Sequence, residues 1–274
     1  MIPAVPTRQV DAAAAYDAYA NRYDSLLSEN LINAYMRRAM MAYQRSAFHS
    51  GDRLLELGCG TGDEALALAE HGCEVVAIDA STEMIAKARE KAGAHSLGRR
   101  VSFQVGYARE LGALLPSSQA GTFDGAYSSF ALSYEKDLSS VANALARAMR
   151  VGGTLLVASM NRLCGIEWAM AMASFHPSLA GRRLQDDTAH KVGTVQTPAY
   201  CRTPRETERA FRPGFEVVRR RALPVLLPPH YANRPLRRWP TLVGAMEKVD
   251  ARVAAWPVFR DLGDHSVLWM TRSG

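Results

Sequence analysis

Cysteine is scarce and scattered: Cys59, Cys73, Cys164 and Cys201 are the only four in 274 residues, with no C-x-x-C and no Cys/His pair at ligand spacing. Neither a disulfide framework nor a metal site is expected from such a set. Long apolar runs are also missing. The longest, 163-LCGIEWAMAMASFHP-177, is short and interrupted by Glu167, which argues against a spanning helix. The opening MIPAVPTRQVDAAAAYDAYA has no basic region followed by an apolar stretch, so it does not read as a signal peptide. Together these absences predict a cytoplasmic chain with reduced thiols. Lysine is rare too, with 5 against 28 arginines and a formal net charge of +6. Genomic base composition can produce that bias, and it carries little weight. Ten arginines do gather in the C-terminal third, at Arg202, Arg205, Arg209, Arg212, Arg219, Arg220, Arg221, Arg234, Arg237 and Arg238. A phosphate-binding stripe is one reading, and solvated faces of ordinary elements the other. The second is preferred because no aromatic-rich platform for single strands accompanies the charge, so nucleic acid is not the expected partner.

What is present is a chain that is 48% hydrophobic, long enough for a full core, and organised as alternating strand-like and helix-like segments. Short runs rich in Val, Leu and Ile predict strands near 53–57, 74–79, 101–105, 123–128 and 153–159. Helical spacing predicts helices near 63–71, 82–93, 108–114 and 137–149. That alternation implies a doubly wound α/β fold, a Rossmann-like parallel sheet with helices on both faces. Ser81 stands where an N-cap belongs, and Gly152-Gly153 reads as the break before the fifth strand. Residues 214–227 and 265–272 predict two further strands, the last antiparallel at or near an edge, with a helix over 242–256 between them. The expectation is one domain over 1–274. It comprises an N-terminal helical arm at 11–48, a core at 50–160, an insertion at 161–203 that is helical and then irregular, and a C-terminal part of the sheet at 204–274.

The informative stretch is 53-RLLELGCGTGDEALALAEHGCEVVAIDA-80. A glycine loop between strand and helix lets backbone approach a ligand and adopt positive φ. Asp79, at the end of the next strand, is placed to accept both hydroxyls of a ribose. A nucleoside-type cofactor follows from the pair. Dinucleotide enzymes use G-x-G-x-x-G to seat pyrophosphate on a helix N-terminus. Here the pattern is G-x-G-x-G, and Glu56, Asp63 and Glu64 would repel pyrophosphate while suiting a cofactor with a cationic end.

ELGCGTG, then VVAIDAS, FDGAYSSFALSY and RVGGTLLVASMNR, resemble the class I S-adenosylmethionine-dependent methyltransferases, especially the small-molecule branch related to ubiquinone/menaquinone biosynthesis. The resemblance covers residues 16–160 well and 214–272 only in general pattern. It implies a seven-stranded sheet and S-adenosyl-L-methionine as cofactor, with Glu56, Gly58, Cys59 and Gly60 along its methionine and ribose part. It further implies Asp79 on the ribose, Ala80 and Met84 beside adenine, and Ser128, Ser129 and Phe130 beside the methyl group. YDAYANRYD resembles the family's arm, which implies that Tyr16 and Tyr23 close over the methionine end. One departure stands out: Tyr107 occupies the position where the family usually has Asp, so recognition of the adenine amino group must run differently, through stacking or the backbone of Ala108.

Methyl transfer from a sulfonium needs alignment and exclusion of water more than an elaborate constellation. A hydroxyl or acidic carbon acceptor would gain from a general base, for which His176, His230 and Tyr134 are the candidates. The aromatic faces of Tyr134, Tyr16, Tyr19 and Tyr23 could favour the sulfonium charge. Trp168, Met170, Met172 and Phe175 are expected either to roof an apolar acceptor pocket or simply to pack on the core. The expected partner is a small-molecule methyl acceptor, and the arm could serve its own chain or a neighbour, leaving monomer and homodimer both open. An RNA methyltransferase and a cofactor-binding protein with a non-methylating role are the competing readings. The first lacks an RNA-binding module, and its fourth strand ends in SSFA rather than the N/D-P-P-Y/F type.

Overall fold

The computed structural model describes residues 10–175, 181–185, 187–193 and 195–274. Five parallel strands form the core of one sheet: β1 (Arg53–Leu57), β2 (Glu74–Asp79), β3 (Val101–Val105), β4 (Phe123–Ser129) and β5 (Met149–Met160). Two more, β8 (Phe215–Leu223) and β9 (His265–Arg272), complete the order β3-β2-β1-β4-β5-β9-β8, with β9 antiparallel to both neighbours. The last strand in the chain is therefore one in from the edge, and β8 is the edge. Strands β1 and β2 are buried on both faces, with only their first residues and Asp79 less than fully covered. Such strands are continuous apolar runs rather than alternating ones.

Helices cover both faces. On one lie α3 (Leu31–Ala47), α4 (Asp63–Glu70) and α5 (Thr82–Ala94), packed through Ile32, Met36, Met40, Leu68 and Ile85. On the other, α7 (Leu138–Ala148) buries Leu138, Val141, Ala142 and Leu145 beside the helix Pro204–Phe211. The positions i, i+3, i+4 and i+7 make one apolar stripe, worth about 1.5–3 kcal/mol per large aliphatic side chain buried. Caps set the starts. Asn30 Oδ1 accepts from the N–H groups of Ile32 and Asn33 at 3.1 Å, and Ser81 Oγ accepts from Met84 N–H at 3.1 Å, as its position in the sequence suggests.

Three expectations change. Helix α7 ends at Ala148 and β5 begins at once, so Gly152-Gly153 sits inside the strand, at an irregularity in its register with β4. A Cβ at Gly153 would stand 2.7 Å from the Asp124 carbonyl, which explains the glycine. Residues 108–114 form a 3-10 turn, Ala108–Glu110, followed by a single helical turn α6 (Leu111–Leu114), rather than one helix. The supposedly irregular half of the insertion carries an antiparallel hairpin, β6 (Thr188–Val192) and β7 (Val195–Ala199), after the helix α8 (Gly165–Ala173). The arm consists of α1 (Ala12–Asp17), α2 (Tyr23–Glu29) and α3. Among the described residues, no helix is long and apolar enough to cross a membrane.

Candidate active site

The carboxyl ends of β1 to β5 open into a cavity of about 720 Å³, where ligands bind in open α/β sheets. The arm runs across that edge and is tied to the loop after each of the first four strands. Asp24 accepts from Thr61 Oγ1 at 2.6 Å and pairs with Lys91 at 2.6 Å. Asp17 accepts from Ser81 Oγ at 2.5 Å and from Glu83 N–H at 3.1 Å. Tyr107 donates its hydroxyl to Asp11 at 2.7 Å, and the Tyr16 and Tyr134 hydroxyls are 2.8 Å apart.

One half of the cavity lies over the glycine loop. Gly58 and Gly60 have φ of +79° and +53°, a region side chains rarely occupy. What lies close to them is protein: a Cβ on Gly58 would overlap Ala131 in the loop after β4, and one on Gly60 would meet the Tyr23 ring at 3.4 Å. Asp79 Oδ2 accepts from Gly60 N–H at 2.8 Å and Oδ1 from Ser81 N–H at 2.9 Å. Each oxygen keeps a lone pair, so two hydroxyl donors can still be accommodated. Burial raises the Asp79 carboxyl above its usual range, and the two N–H bonds oppose that.

Deeper in, Glu56 accepts from Tyr127 at 3.1 Å, while Glu64 accepts from Ser129 Oγ at 2.6 Å and Gln44 at 2.5 Å. Burial, with Glu64 nearby, pushes the Glu56 carboxyl well above its ordinary value. Cys59, Ala80, Met84, Tyr107, Ala108, Phe130, Tyr16 and Tyr23 also line the cavity. A ribose acid with spare acceptor capacity and an acidic inner wall fit a nucleoside cofactor with a cationic end. Ser128 does not take part: its hydroxyl donates to the Leu57 carbonyl at 2.8 Å inside the sheet. Tyr19 packs beside Gly193 of the hairpin rather than in the cavity.

The other half is built from the insertion and the C-terminal segments. Tyr134 and His230 both line it, as the sequence suggests, whereas His176 lies outside the described residues. Residues legible only in the fold join them, His190, His265, Asp264 and Arg183 among them. His190, on the hairpin, has Nδ1 2.9 Å from the Tyr134 hydroxyl, and its ring stands 5.7 Å from that of His230. His265, at the start of β9, packs edge-on against Phe130 at 4.8 Å. Its Nδ1 is 2.8 Å from Asp264 Oδ2, close enough for an ion-pair contact although not aligned as a hydrogen bond. Asp264 and Glu167, both 1% exposed, share the buried guanidinium of Arg183, which also donates to the carbonyls of Asn161 and Asp264. Cys164, Glu167 and Asp264 come together with ligand-like proximity, but Arg183 already occupies the two carboxylates.

Electrostatics follow from this packing. Burial alone would raise Asp264, yet Arg183 and His265 hold it well below the usual carboxylate range. Burial and then the neighbouring His230 and His265 lower His190 to about 3, and burial lowers His230. Burial lifts the phenols of Tyr134 and Tyr16, so at neutral pH both remain protonated.

Of the two readings open for Trp168, Met170, Met172 and Phe175, the roof is not the one this cavity shows. Met172 and Phe175 are exposed, and neither they nor Trp168 and Met170 line the cavity. The cover comes from the hairpin, from Arg182 stacked 5.1 Å over Tyr231, and from the arm. Polar hairpin residues carried no apolar pattern by which this could have been found.

Residues 54–153 match the family model for a methyltransferase domain. An O-methyltransferase, resE, of Aspergillus sclerotiorum is 27% identical over 197 residues, covering 64% of this chain and 73% of the relative. The ubiquinone biosynthesis O-methyltransferase of Xanthomonas campestris pv. campestris (strain B100) is 33% identical over 140 residues, 51% of this chain. The chain spans about half the length of that relative, 55%. Among solved structures, the [4+2]-cyclase SpnF shares the fold with a TM-score of 0.62 at 19% identity, covering 98% of both chains.

Proposed function

We propose that the chain, whose residues 54–153 match a methyltransferase domain, is a class I S-adenosylmethionine-dependent methyltransferase and that it methylates a hydroxyl of a small, largely apolar or aromatic acceptor such as a quinone-like or natural-product phenol. The observation that carries the reading is one continuous cavity that joins the Asp79 and glycine-loop half to a chamber with a carboxylate-backed histidine beside Phe130. S-adenosylmethionine, when bound, supplies a methyl group on a cationic sulfur. Gly58, Cys59 and Gly60 would cradle it with Asp79 on its ribose, and Glu56, Glu64, Ser129 and Tyr16 would line its methionine end.

The remaining work falls to the chain. Arm, hairpin and loop exclude water, which strengthens every polar contact inside. Tyr134, held between Tyr16 and His190, orients an acceptor oxygen as a neutral donor or acceptor. His265 takes the acceptor's proton. Asp264 stabilises the imidazolium that forms, and Arg183 keeps Asp264 ionised. His230 and His190, lowered by burial, stay neutral and serve as hydrogen-bonding walls. His230 is the alternative base and His176 a third, while Tyr134, raised by burial, acts as the orienting hydroxyl. Arm, core, insertion and C-terminal part contribute jointly to the one cavity, which supports reading 1–274 as one domain.

A chain of this fold can carry a different reaction, as the SpnF cyclase does, so transfer must be measured directly. Titration calorimetry of S-adenosylmethionine into wild type and Asp79→Ala, followed by a phenol panel scored for S-adenosylhomocysteine release, provides the test. Tight binding with no release on any hydroxylated acceptor would leave the non-methylating reading standing and remove this one.

A further inference from the structure

The cofactor reading leaves the purine without an acceptor for its exocyclic amino group. With Asp79 on the ribose at the end of β2, and β3 beside β2 on the side away from β1, a base carried by that ribose would reach residues 106–108, which line the cavity past the end of β3. Tyr107 offers no carboxylate there. Its N–H is engaged by Glu110 at 3.4 Å, and its ring lies under the Arg109 guanidinium at 3.7 Å. The nearby Glu135 is 7% exposed and pairs with Arg109 at 3.4 Å. Glu135 is held against Arg109 through one oxygen only, whereas Asp11, which the arm carries and which is exposed, is positioned by two donors on a single oxygen. Asp11 Oδ2 accepts from the Tyr107 hydroxyl at 2.7 Å and from Ala13 N–H at 3.1 Å, whereas Oδ1 has no donor among the described residues.

We propose that Asp11 is the residue that reads the adenine amino group. The tyrosine at 107 is then an arm-holding residue: its hydroxyl reaches across to the arm and fixes a carboxylate that arrives from a different part of the chain. Two donors on Oδ2 orient the group and leave Oδ1 as the acceptor for an N–H of the base. Recognition of the base and closure of the arm become one event, because the acceptor travels with α1 and the arm is tied down at Asp17, Asp24 and Tyr16 by contacts of its own.

The inference rests on the cofactor assignment above, and its test separates the two. Binding of S-adenosylhomocysteine and of its deaminated analogue S-inosylhomocysteine would be measured by calorimetry on wild type, Asp11→Ser, Tyr107→Phe and Asp79→Ala. The deaminated base presents a carbonyl where adenine presents N–H, so it loses a charge-assisted bond and meets a carboxylate instead. Wild type should prefer the adenine ligand by about tenfold or more. Asp11→Ser retains an N-cap oxygen for α1 but no carboxylate, and the preference should fall to near unity with little change for the deaminated ligand. Tyr107→Phe should reduce the preference partway, and Asp79→Ala should weaken both ligands by a similar factor with the preference kept. An unchanged ratio in Asp11→Ser, or equal loss of both ligands, would overturn the assignment and make Asp11 an arm anchor only. Failure of wild type to bind either ligand would remove the cofactor reading and this one with it.

Discussion

Replacing Arg183 by Met removes a single cation from between two carboxylates that are each 1% exposed. The guanidinium pairs with both Glu167 and Asp264 and also donates to two carbonyls, of Asn161 and Asp264. Glu167 keeps Arg182 at 2.8 Å, and Asp264 keeps the His265 contact and the weak Cys164 thiol donor at 4.0 Å. Breaking a buried pair by deleting one partner costs about 3–5 kcal/mol. In a chain of this size that corresponds to a fall in Tm of roughly 6–15 °C.

The pH dependence has a definite sign. Asp264 is depressed in the folded protein, so its contribution is present above the unfolded value of about 3.9 and is lost as pH falls below it. In Arg183→Met the same carboxyl is buried without its cation and shifts upward. Protonation then relieves the mutant as pH falls, while wild type only loses. Urea denaturation at pH 7.5 and pH 5 should show the gap between the two narrowing at the lower pH. A cost under about 1 kcal/mol, or a gap independent of pH, would refute the view that Arg183 neutralises two buried charges.

His265→Asn should lower kcat/KM for a phenolic acceptor by about 10²–10⁴ with S-adenosylhomocysteine affinity unchanged, and calorimetry beside turnover would check it; equal loss of binding would count against a base. Glu56 is raised by burial in the free protein, so a cationic ligand should draw off its proton on binding. Affinity for S-adenosylmethionine should rise with pH more than that for the uncharged thioether, and calorimetry in buffers of different ionisation enthalpy should report proton release. Tyr134→Phe cuts the hydroxyl joining arm to hairpin, and amide exchange should quicken in 12–17 and 188–199 while β1 and β4 stay protected. Gly58→Ala places a Cβ onto Ala131 at φ +79° and should cost about 1–3 kcal/mol in chemical denaturation.

How much could be read from the sequence depended on the range of the forces involved. Strands β1 and β2 fall where their Val, Leu and Ile runs predict, because a strand buried on both faces announces itself locally, and the edge strand β3 shows itself by alternation instead. The same holds for the Ser81 cap, the glycine loop and Asp79, whose partners Gly60 and Ser81 lie within 19 residues. The start of β5 falls earlier than expected because it follows α7 without a turn, and Gly152-Gly153 serve a close approach between strands rather than a break.

The acceptor half was decided elsewhere. The polar strand 188-TAHKV-192 has no continuous apolar face to detect, and pairs with 195-VQTPA-199. Tyr16 meets Tyr134 across 118 positions, Tyr134 meets His190 across 56, and Tyr107 meets Asp11 across 96. Arg183 reaches Asp264 across 81. The sequence by itself determined the sheet core and the cofactor loop, since both are written in neighbouring residues. Only the tertiary structure decided which histidine acquired a carboxylate, which residues roof the chamber and which acid the arm sets beside Tyr107, because those pairings exist only once loop-closure entropy has been overcome by the packing of the sheet.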